Sequence, residues 1–256
     1  MTAIEAGAAQ EPRLPWRTAS VIELIEETPR TRSLVLDAPG WPGHKAGQHV
    51  DLRLTSEDGY QAQRSYSIAS APESPHLMLT IERLDDGEVS PYLASDVRVG
   101  DRFELRGPIG GYFVWTAALS GPLFLIAGGS GVAPLMAMLR HRTAAASRTP
   151  AVLLYSSRSY EDIIYRAELE RLVAANDGLR VAHTLTRRQP PDWQGLSRRI
   201  DADMLKEAGI APGERPRLYV CGPTTLVEHV AQALLALGHE AGQVKTERFG
   251  ATGGSQ

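Results

Sequence analysis

Arg64-Ser65-Tyr66-Ser67 sets a fixed cation, an aromatic plane and two hydroxyls at the end of an alternating apolar/polar run. Side chains on a strand alternate between faces, so Arg64, Tyr66 and Ile68 share one face and Ser65 and Ser67 the other. A guanidinium can hold a phosphate through paired donors, and a phenol ring can lie against a flat heterocycle. Read by itself, the same string also fits an ordinary strand edge.

Further stretches add to it. Gly87-Glu88-Val89-Ser90-Pro91 places Ser90 as a helix N-cap and Pro91 at the first helical position. A helix start offers free N–H groups and a positive dipole end to an anion; the plainer reading is a short helix closing a barrel end. Gly107-Pro108-Ile109-Gly110-Gly111-Tyr112-Phe113 is either a plain loop or a site of close backbone approach to a ligand.

Leu123 to Ala127 is a continuous apolar run that leads into Gly128-Gly129-Ser130-Gly131-Val132-Ala133-Pro134 and then a helical stretch from Leu135 to Arg140. Strand, glycine loop, helix is the layout that seats a pyrophosphate on a helix N-terminus, although the spacing departs from G-x-G-x-x-G. Ser157 and Arg158 follow the next strand, where a dinucleotide's adenosine ribose is gripped. A hydroxyl and a guanidinium there suit a 2′-phosphate, and Arg187 can reinforce them, so NADP is favoured over NAD. Cys221 closes an apolar strand before Gly222-Pro223; with His229 two turns into the next helix it lacks a base, so the thiol packs, against core or ligand, without covalent chemistry.

The elements that must position these residues fall into two sets. Alternating segments Arg17–Glu26, Thr31–Leu36, Gln48–Leu54, Gln63–Ile68, Leu77–Arg83 and Arg102–Arg106, broken by Pro, Gly and Asp turns, predict an antiparallel barrel or sandwich. After Gly121 strands alternate with helices: Ala151–Tyr155, helix Ile164–Ala175, Arg180–Leu185, helix Asp201–Ala208, Arg217–Cys221, helix Thr225–Leu237 and Gln243–Glu247. That order predicts a doubly wound parallel sheet with ligands at the C-terminal strand ends. The expected division is a frayed 1–15, a barrel domain 16–118, an α/β domain 119–250 and a flexible tail 251–256.

Composition narrows the function classes. A net charge of −3 over 256 residues gives no basic field, which argues against nucleic acid or an anionic membrane as main partner. No apolar run approaches the roughly 20 residues of a bilayer span, and the N-terminus has no signal-peptide pattern, so a cytoplasmic protein is expected. One cysteine rules out an internal disulfide or a four-thiolate iron–sulfur cluster within this sequence, and seven histidines without ligand spacing predict no metal site.

The order of RSYS, GEVS, GPIGGYF, GGSGVAP, YSSR (Tyr155 to Arg158), CGP and ERFG (Glu247 to Gly250) resembles the ferredoxin–NADP reductase superfamily over Trp16 to Gly250. The closest resemblance is to small bacterial oxygenase-reductase modules, here without a ferredoxin domain. The resemblance implies a flavin-binding barrel followed by a pyridine-nucleotide domain, with FAD rather than FMN. Arg64 would pair with flavin phosphate, Tyr66 would lie on the isoalloxazine and Ser67 near its reactive edge. Ile81, Glu82 and Arg83 would line the ring and ribityl region. Gly87, Val89 and Ser90 would hold the pyrophosphate. Gly129, Ser130 and Gly131 would hold the NADP pyrophosphate, with Ser157, Arg158 and Arg187 at the 2′-phosphate. Cys221, Gly222 and Pro223 would stand beside the nicotinamide, and Glu247 and Phe249 beside the flavin. Tyr66, Ser67, Cys221 and Glu247 would thus meet the reacting atoms.

The function so implied is hydride transfer from NADPH to FAD, then single electrons to a ferredoxin, an oxygenase component or another redox enzyme, by a monomer. Three alternatives stand beside it: a reductase of free flavin or ferric complexes, an electron-transfer subunit docked on a larger enzyme, and a flavin-free α/β dehydrogenase. The sequence departs from plant-type members in running on through Ala251 to Gln256 without a terminal aromatic, which leaves the gating of nicotinamide access open.

Overall fold

Period-two alternation in the first half produces six antiparallel strands: β1 (Trp16–Thr28), β2 (Thr31–Asp37), β3 (His49–Thr55), β4 (Gln61–Ser67), β5 (Leu77–Glu82) and β6 (Arg102–Ile109). The computed structural model describes residues 14–56, 58–210, 212 and 216–249; most of the expected frayed N-terminus and the tail 251–256 lie outside them. The sheet order is β4-β3-β6-β1-β2-β5, and a bridge between Ile68 and Leu79 joins its two ends into a barrel. Closure removes the open edges that would otherwise invite pairing with another chain. Ala19, Val21, Leu34, Leu36, Val50, Leu52, Ile68, Leu79, Ile81 and Leu105 fill the interior. Helix α1 (Ser90–Ser95) closes one end by burying Leu93.

The second half forms a five-stranded parallel sheet of β7 (Leu123–Gly128), β8 (Ala151–Ser157), β9 (Leu179–Leu185), β10 (Arg217–Pro223) and β11 (Val244–Phe249), in the order β11-β10-β7-β8-β9. Helices α2 (Val132–Ala144) and α3 (Arg166–Ala174) cover one face; α4 (Ala202–Glu207) and α5 (Thr224–Ala236) cover the other. Leu123, Leu125 and Ala127 enter the first core while Phe124 and Ile126 enter the second. Burial on both faces is why β7 reads as an unbroken apolar run rather than an alternating one. The chain leaves β7 through β8 and β9, then returns to the opposite side of β7 as β10. The β7–β10 gap is therefore a topological switch point.

Two local expectations are corrected. Ser90 is not the N-cap of α1: it lies inside the helix, behind Val89, and its hydroxyl accepts the Leu84 N–H at 3.1 Å. Helix α3 starts at Arg166 rather than Ile164, because Tyr165 adopts the left-handed conformation (φ 60°, ψ 24°) and Ile163 to Tyr165 pack into the core as a non-helical lead-in. Strand ends also reach further than alternation predicts. Gly107 to Ile109, Ser156-Ser157, Gly222-Pro223 and Arg248-Phe249 all belong to strands. No helix among the described residues is long and apolar enough to cross a membrane.

Candidate functional site

On β4 the odd-numbered face is anchored first. Ser65 donates to Asp51 Oδ1 at 2.6 Å, and Arg106 grips Asp51 Oδ2 through Nη2 at 2.6 Å and Nε at 3.2 Å. Burial alone would raise the Asp51 pKa, but these donors outweigh it and hold the carboxyl below its ordinary value. With the strand so fixed, Tyr66 sits half-buried against the barrel core, and burial pushes its phenol up to about 12, so it is neutral. Ser67 is buried, and its hydroxyl has no partner among the described residues. Such an orphan costs about 1–3 kcal/mol, which a polar ligand edge would recover.

Arg64 reaches across to Glu88 of the GEVS segment at 3.2 Å, so the structure brings these two motifs together. The pair is solvent-exposed and therefore weak, which leaves the guanidinium available to a phosphate. Gly87 closes a turn on Leu84 (N–H to O, 2.8 Å), and a Cβ there would stand 2.7 Å from Ser90 Oγ. Val89 and Ile81 point into the barrel, so any contact they make with a ligand is through the backbone. That narrows the expectation for Ile81, whose side chain lines the core. Arg83 pairs with Asp85 at 3.1 Å, and its carbonyl accepts from Arg30 at 3.0 Å. Glu82 reaches the other domain: its carboxylate lies 3.7 Å from where a Gly129 Cβ would stand.

At the switch point glycines let two loops cross. A Cβ on Gly131 would be 2.3 Å from the Cys221 carbonyl oxygen, and one on Gly222 would be 3.0 Å from that of Gly128. Gly129 has φ +54°, inside a tight turn through Gly131 that feeds α2 without any side-chain cap. The Val132 N–H that opens α2 bonds back to the Gly129 and Ser130 carbonyls, and this turn and helix start lie at the strand ends, where the dipole favours an anion. Tyr155, which its place in an apolar run disguises as plain core, donates to the Gly129 carbonyl at 3.1 Å and accepts the Ile164 N–H at 3.3 Å. Only the rule that a buried phenol needs a partner could have marked it in the sequence.

Cys221 is fully buried, between Ala127 and Glu247 in the parallel register. Burial, with Glu247 alongside, raises its thiol well above the ordinary range, so the group is a neutral packing atom and no nucleophile. Burial likewise pushes Glu247 up to about 7, and its Oε2 has no partner among the described residues. Phe249, two residues on along the same face, packs against the core at its edge.

The remaining cluster is cationic. The N–H groups of Arg187 and Arg188 donate to the Arg158 carbonyl at 2.9 and 3.1 Å, which clamps the loops after β8 and β9 together. Ser157 is buried with an unpartnered hydroxyl, whereas Arg158 and Arg187 are exposed and enter no ion pair among the described residues. Arg188, which sequence reading passed over, pairs with Glu161 at 3.2 Å. A hydroxyl and two exposed guanidiniums are the donor types that a phosphate monoester would require. The buried polar groups of Ser67, Ser157 and Glu247, unpartnered among the described residues, and the close glycine crossing fit a flavin and a pyridine dinucleotide.

Comparison with known proteins agrees with this layout. The Oxidoreductase FAD-binding domain family matches residues 21–114, and the Oxidoreductase NAD-binding domain family matches residues 125–232. NADH-cytochrome b5 reductase 1 of Aspergillus terreus is 32% identical over 205 residues, 77% of this chain and 68% of the relative. Ferredoxin–NADP reductase B of Sorangium cellulosum is 35% identical over 211 residues, 80% of this chain and 85% of the relative. The glycine betaine monooxygenase reductase subunit of Chromohalobacter salexigens is 31% identical over 90% of this chain, which spans 63% of that relative, less than two thirds of its length. The crystal structure of the FAD/NAD-binding domain of nitric oxide dioxygenase from Vibrio cholerae superposes with a TM-score of 0.81 at 27% identity, covering 91% of this chain and 98% of that one. With both domain families matched in order and a relative 35% identical over 85% of its own length, this chain belongs to the ferredoxin–NADP reductase superfamily of FAD- and NAD(P)-binding oxidoreductases.

Proposed function

We propose that this protein takes reducing equivalents from NADPH and hands them singly to a separate redox protein. Bound FAD would supply the conversion of two-electron hydride uptake from the nicotinamide into single-electron release, with the hydride's proton lost to solvent. The chain's own residues bind and align. Arg64 and the Gly87–Ser90 turn hold phosphate, while Tyr66 and Phe249 bound the flavin ring and Ser67 donates to its edge. The backbone of Ile81 to Arg83 lines the ribityl side. Gly129 to Gly131 and the α2 N-terminus hold the dinucleotide pyrophosphate, and Ser157, Arg158 and Arg187 hold its 2′-phosphate. Cys221, Gly222, Pro223 and Glu247 close over the nicotinamide and exclude water. Alignment of this kind is the largest contribution a protein makes to hydride transfer, since no side chain must exchange a proton in the step.

The observation that carries the reading is the crossing of Gly131 under Cys221 at the β7–β10 switch point, with Glu82 of the barrel reaching the same turn. We divide the chain at 118/119, between the last barrel strand and β7, and read it as a monomer. For the acceptor, the names of the relatives favour a one-electron protein: a cytochrome b5, a ferredoxin or a monooxygenase component. The test is direct. The purified protein should carry FAD, oxidise NADPH faster than NADH, and reduce a ferredoxin or cytochrome faster than free flavin or ferric citrate. A colourless protein, or one that prefers free flavin, would reject the reading.

A further inference from the structure

We propose that Tyr165 is a positioning residue that ties the pyrophosphate-binding turn to the flavin-lining strand, so that nucleotide held on the turn sets the placement of β5; the inference rests on the cofactor reading above. Tyr165 is a bulky residue in the left-handed region (φ 60°, ψ 24°), a conformation that L-residues disfavour. An ordinary start for α3 would carry the helix back through Ile164, or place Gly or Asn here. The left-handed turn instead aims a fully buried ring away from its own helix and at the barrel.

Contacts converge on that ring from both domains. Its hydroxyl hydrogen-bonds Thr80 Oγ1 of β5. Thr80 in turn bonds Ser33 Oγ at 2.8 Å, and Ser33 donates to Glu27 Oε1 at 2.7 Å. The Arg140 guanidinium lies 4.8 Å above the ring while gripping Glu168 of α3 at 2.6 and 2.9 Å and the barrel carbonyl of Ala69 at 2.7 Å. A groove of about 550 Å³ opens beside this join, between residues 25–29 and the start of α3, so the polar bonds add to apolar packing of Ala69 and Met78 against Ile163 and Tyr165 that the groove interrupts.

The join continues a relay. Gly129 accepts from Tyr155, Tyr155 accepts from Ile164, and Ile164 precedes Tyr165. Tyr165 bonds Thr80, two residues before Glu82, whose carboxylate stands beside the same turn, 3.7 Å from where a Gly129 Cβ would be. A shift at the phosphate turn therefore reaches β5 through the Tyr165 hydroxyl, a route that a single atom controls.

Hydrogen–deuterium exchange on the FAD-loaded protein, with and without NADP⁺, tests this in the wild type, Tyr165→Phe, Thr80→Val and the double variant. In the wild type NADP⁺ should slow exchange both at the turn (residues 129–133) and on β5 (residues 79–83). In each single variant the slowing at the turn and the NADP⁺ Kd should persist, while the slowing on β5 falls about fivefold, the value of one neutral hydrogen bond. The double variant should fall no further than Thr80→Val, which loses the Tyr165 bond and the Ser33 bond together. Thr80→Val approaches the bond from the barrel side should Tyr165→Phe fold poorly. Full β5 slowing in the variants, or wild-type slowing confined to the turn, overturns the inference alone. Failure of the wild type to retain FAD, or to respond to NADP⁺ at the turn, overturns the cofactor reading and the inference together.

Discussion

Cys221 and Glu247 stand opposite each other in the parallel register of the last two strands, a buried thiol against a half-buried carboxyl that titrates near 7. Burial raises Glu247 above its ordinary value, so the folded state binds this proton more tightly than the unfolded chain does. Its stabilising contribution is complete below about pH 4.5 and is lost as pH rises to about 7, by at most about 3 kcal/mol. Denaturation midpoints of the apoprotein measured at pH 5 and 8 should therefore differ, and Glu247→Gln should shrink the difference. An unchanged pH slope in that variant would show that the carboxyl is hydrated in the folded protein.

Gly131→Ala pushes a methyl to 2.3 Å from the Cys221 carbonyl, backbone against backbone. Neither loop can yield without moving a strand end, so a loss of about 1–3 kcal/mol in stability and a weakened NADP⁺ Kd are expected. Gly129→Ala meets only the Glu82 carboxylate at 3.7 Å and suffers mainly from φ +54°. Calorimetric melting and titration of both variants compare the two.

Ser67→Ala should move two quantities in opposite directions. Deleting a buried, unpartnered hydroxyl raises apoprotein stability by about 1 kcal/mol, while the FAD Kd rises about tenfold for the lost hydrogen bond. Tyr66→Ala should weaken FAD retention further and also open the barrel edge. Melting temperatures with and without FAD, and flavin release on dilution, separate the effects. Equal losses in both forms would mean Ser67 is only structural.

Arg158→Ala and Arg187→Ala should each lower kcat/KM for NADPH about 10- to 100-fold and leave NADH within about twofold, because a charge-assisted hydrogen bond to phosphate is worth about 1.5–3 kcal/mol. A parallel fall for both nucleotides would place these arginines on the pyrophosphate instead.

Arg142 tests the frame rather than the site. It is 1% exposed and donates to Asp177 Oδ2, the Asp177 carbonyl and the Thr149 carbonyl, each at 2.7 Å. Arg142→Met strands those acceptors and should cost about 3 kcal/mol in chemical denaturation without changing the NADP⁺ Kd.

The barrel and the doubly wound sheet were legible because periodicity carries both: alternation where one face is buried, unbroken apolar runs where both are. The glycine turn, the exposed arginines after β8 and β9 and the RSYS strand are legible as residue types in order. Ser90 was misjudged as a cap because its nearest backbone donor, Leu84, lies behind it in a turn that alternation does not encode. The start of α3 was misjudged because Ile164 and Tyr165 look helical locally, while the Thr80 hydroxyl that draws the Tyr165 ring away belongs to a strand 85 residues earlier.

For Arg64-Ser65-Tyr66-Ser67, residue order by itself determined which side chains share a face and which chemistry they can offer. Only the tertiary structure decided that Ser65 is spent on Asp51, that Arg64 meets Glu88, and that Ser67 is left buried without a partner among the described residues. The physical reason is range. Strand and helix period are set by neighbours a few residues apart, whereas pairing, orphaning and pKa depend on which distant segments the closed barrel and the β7–β10 switch point bring within hydrogen-bonding reach.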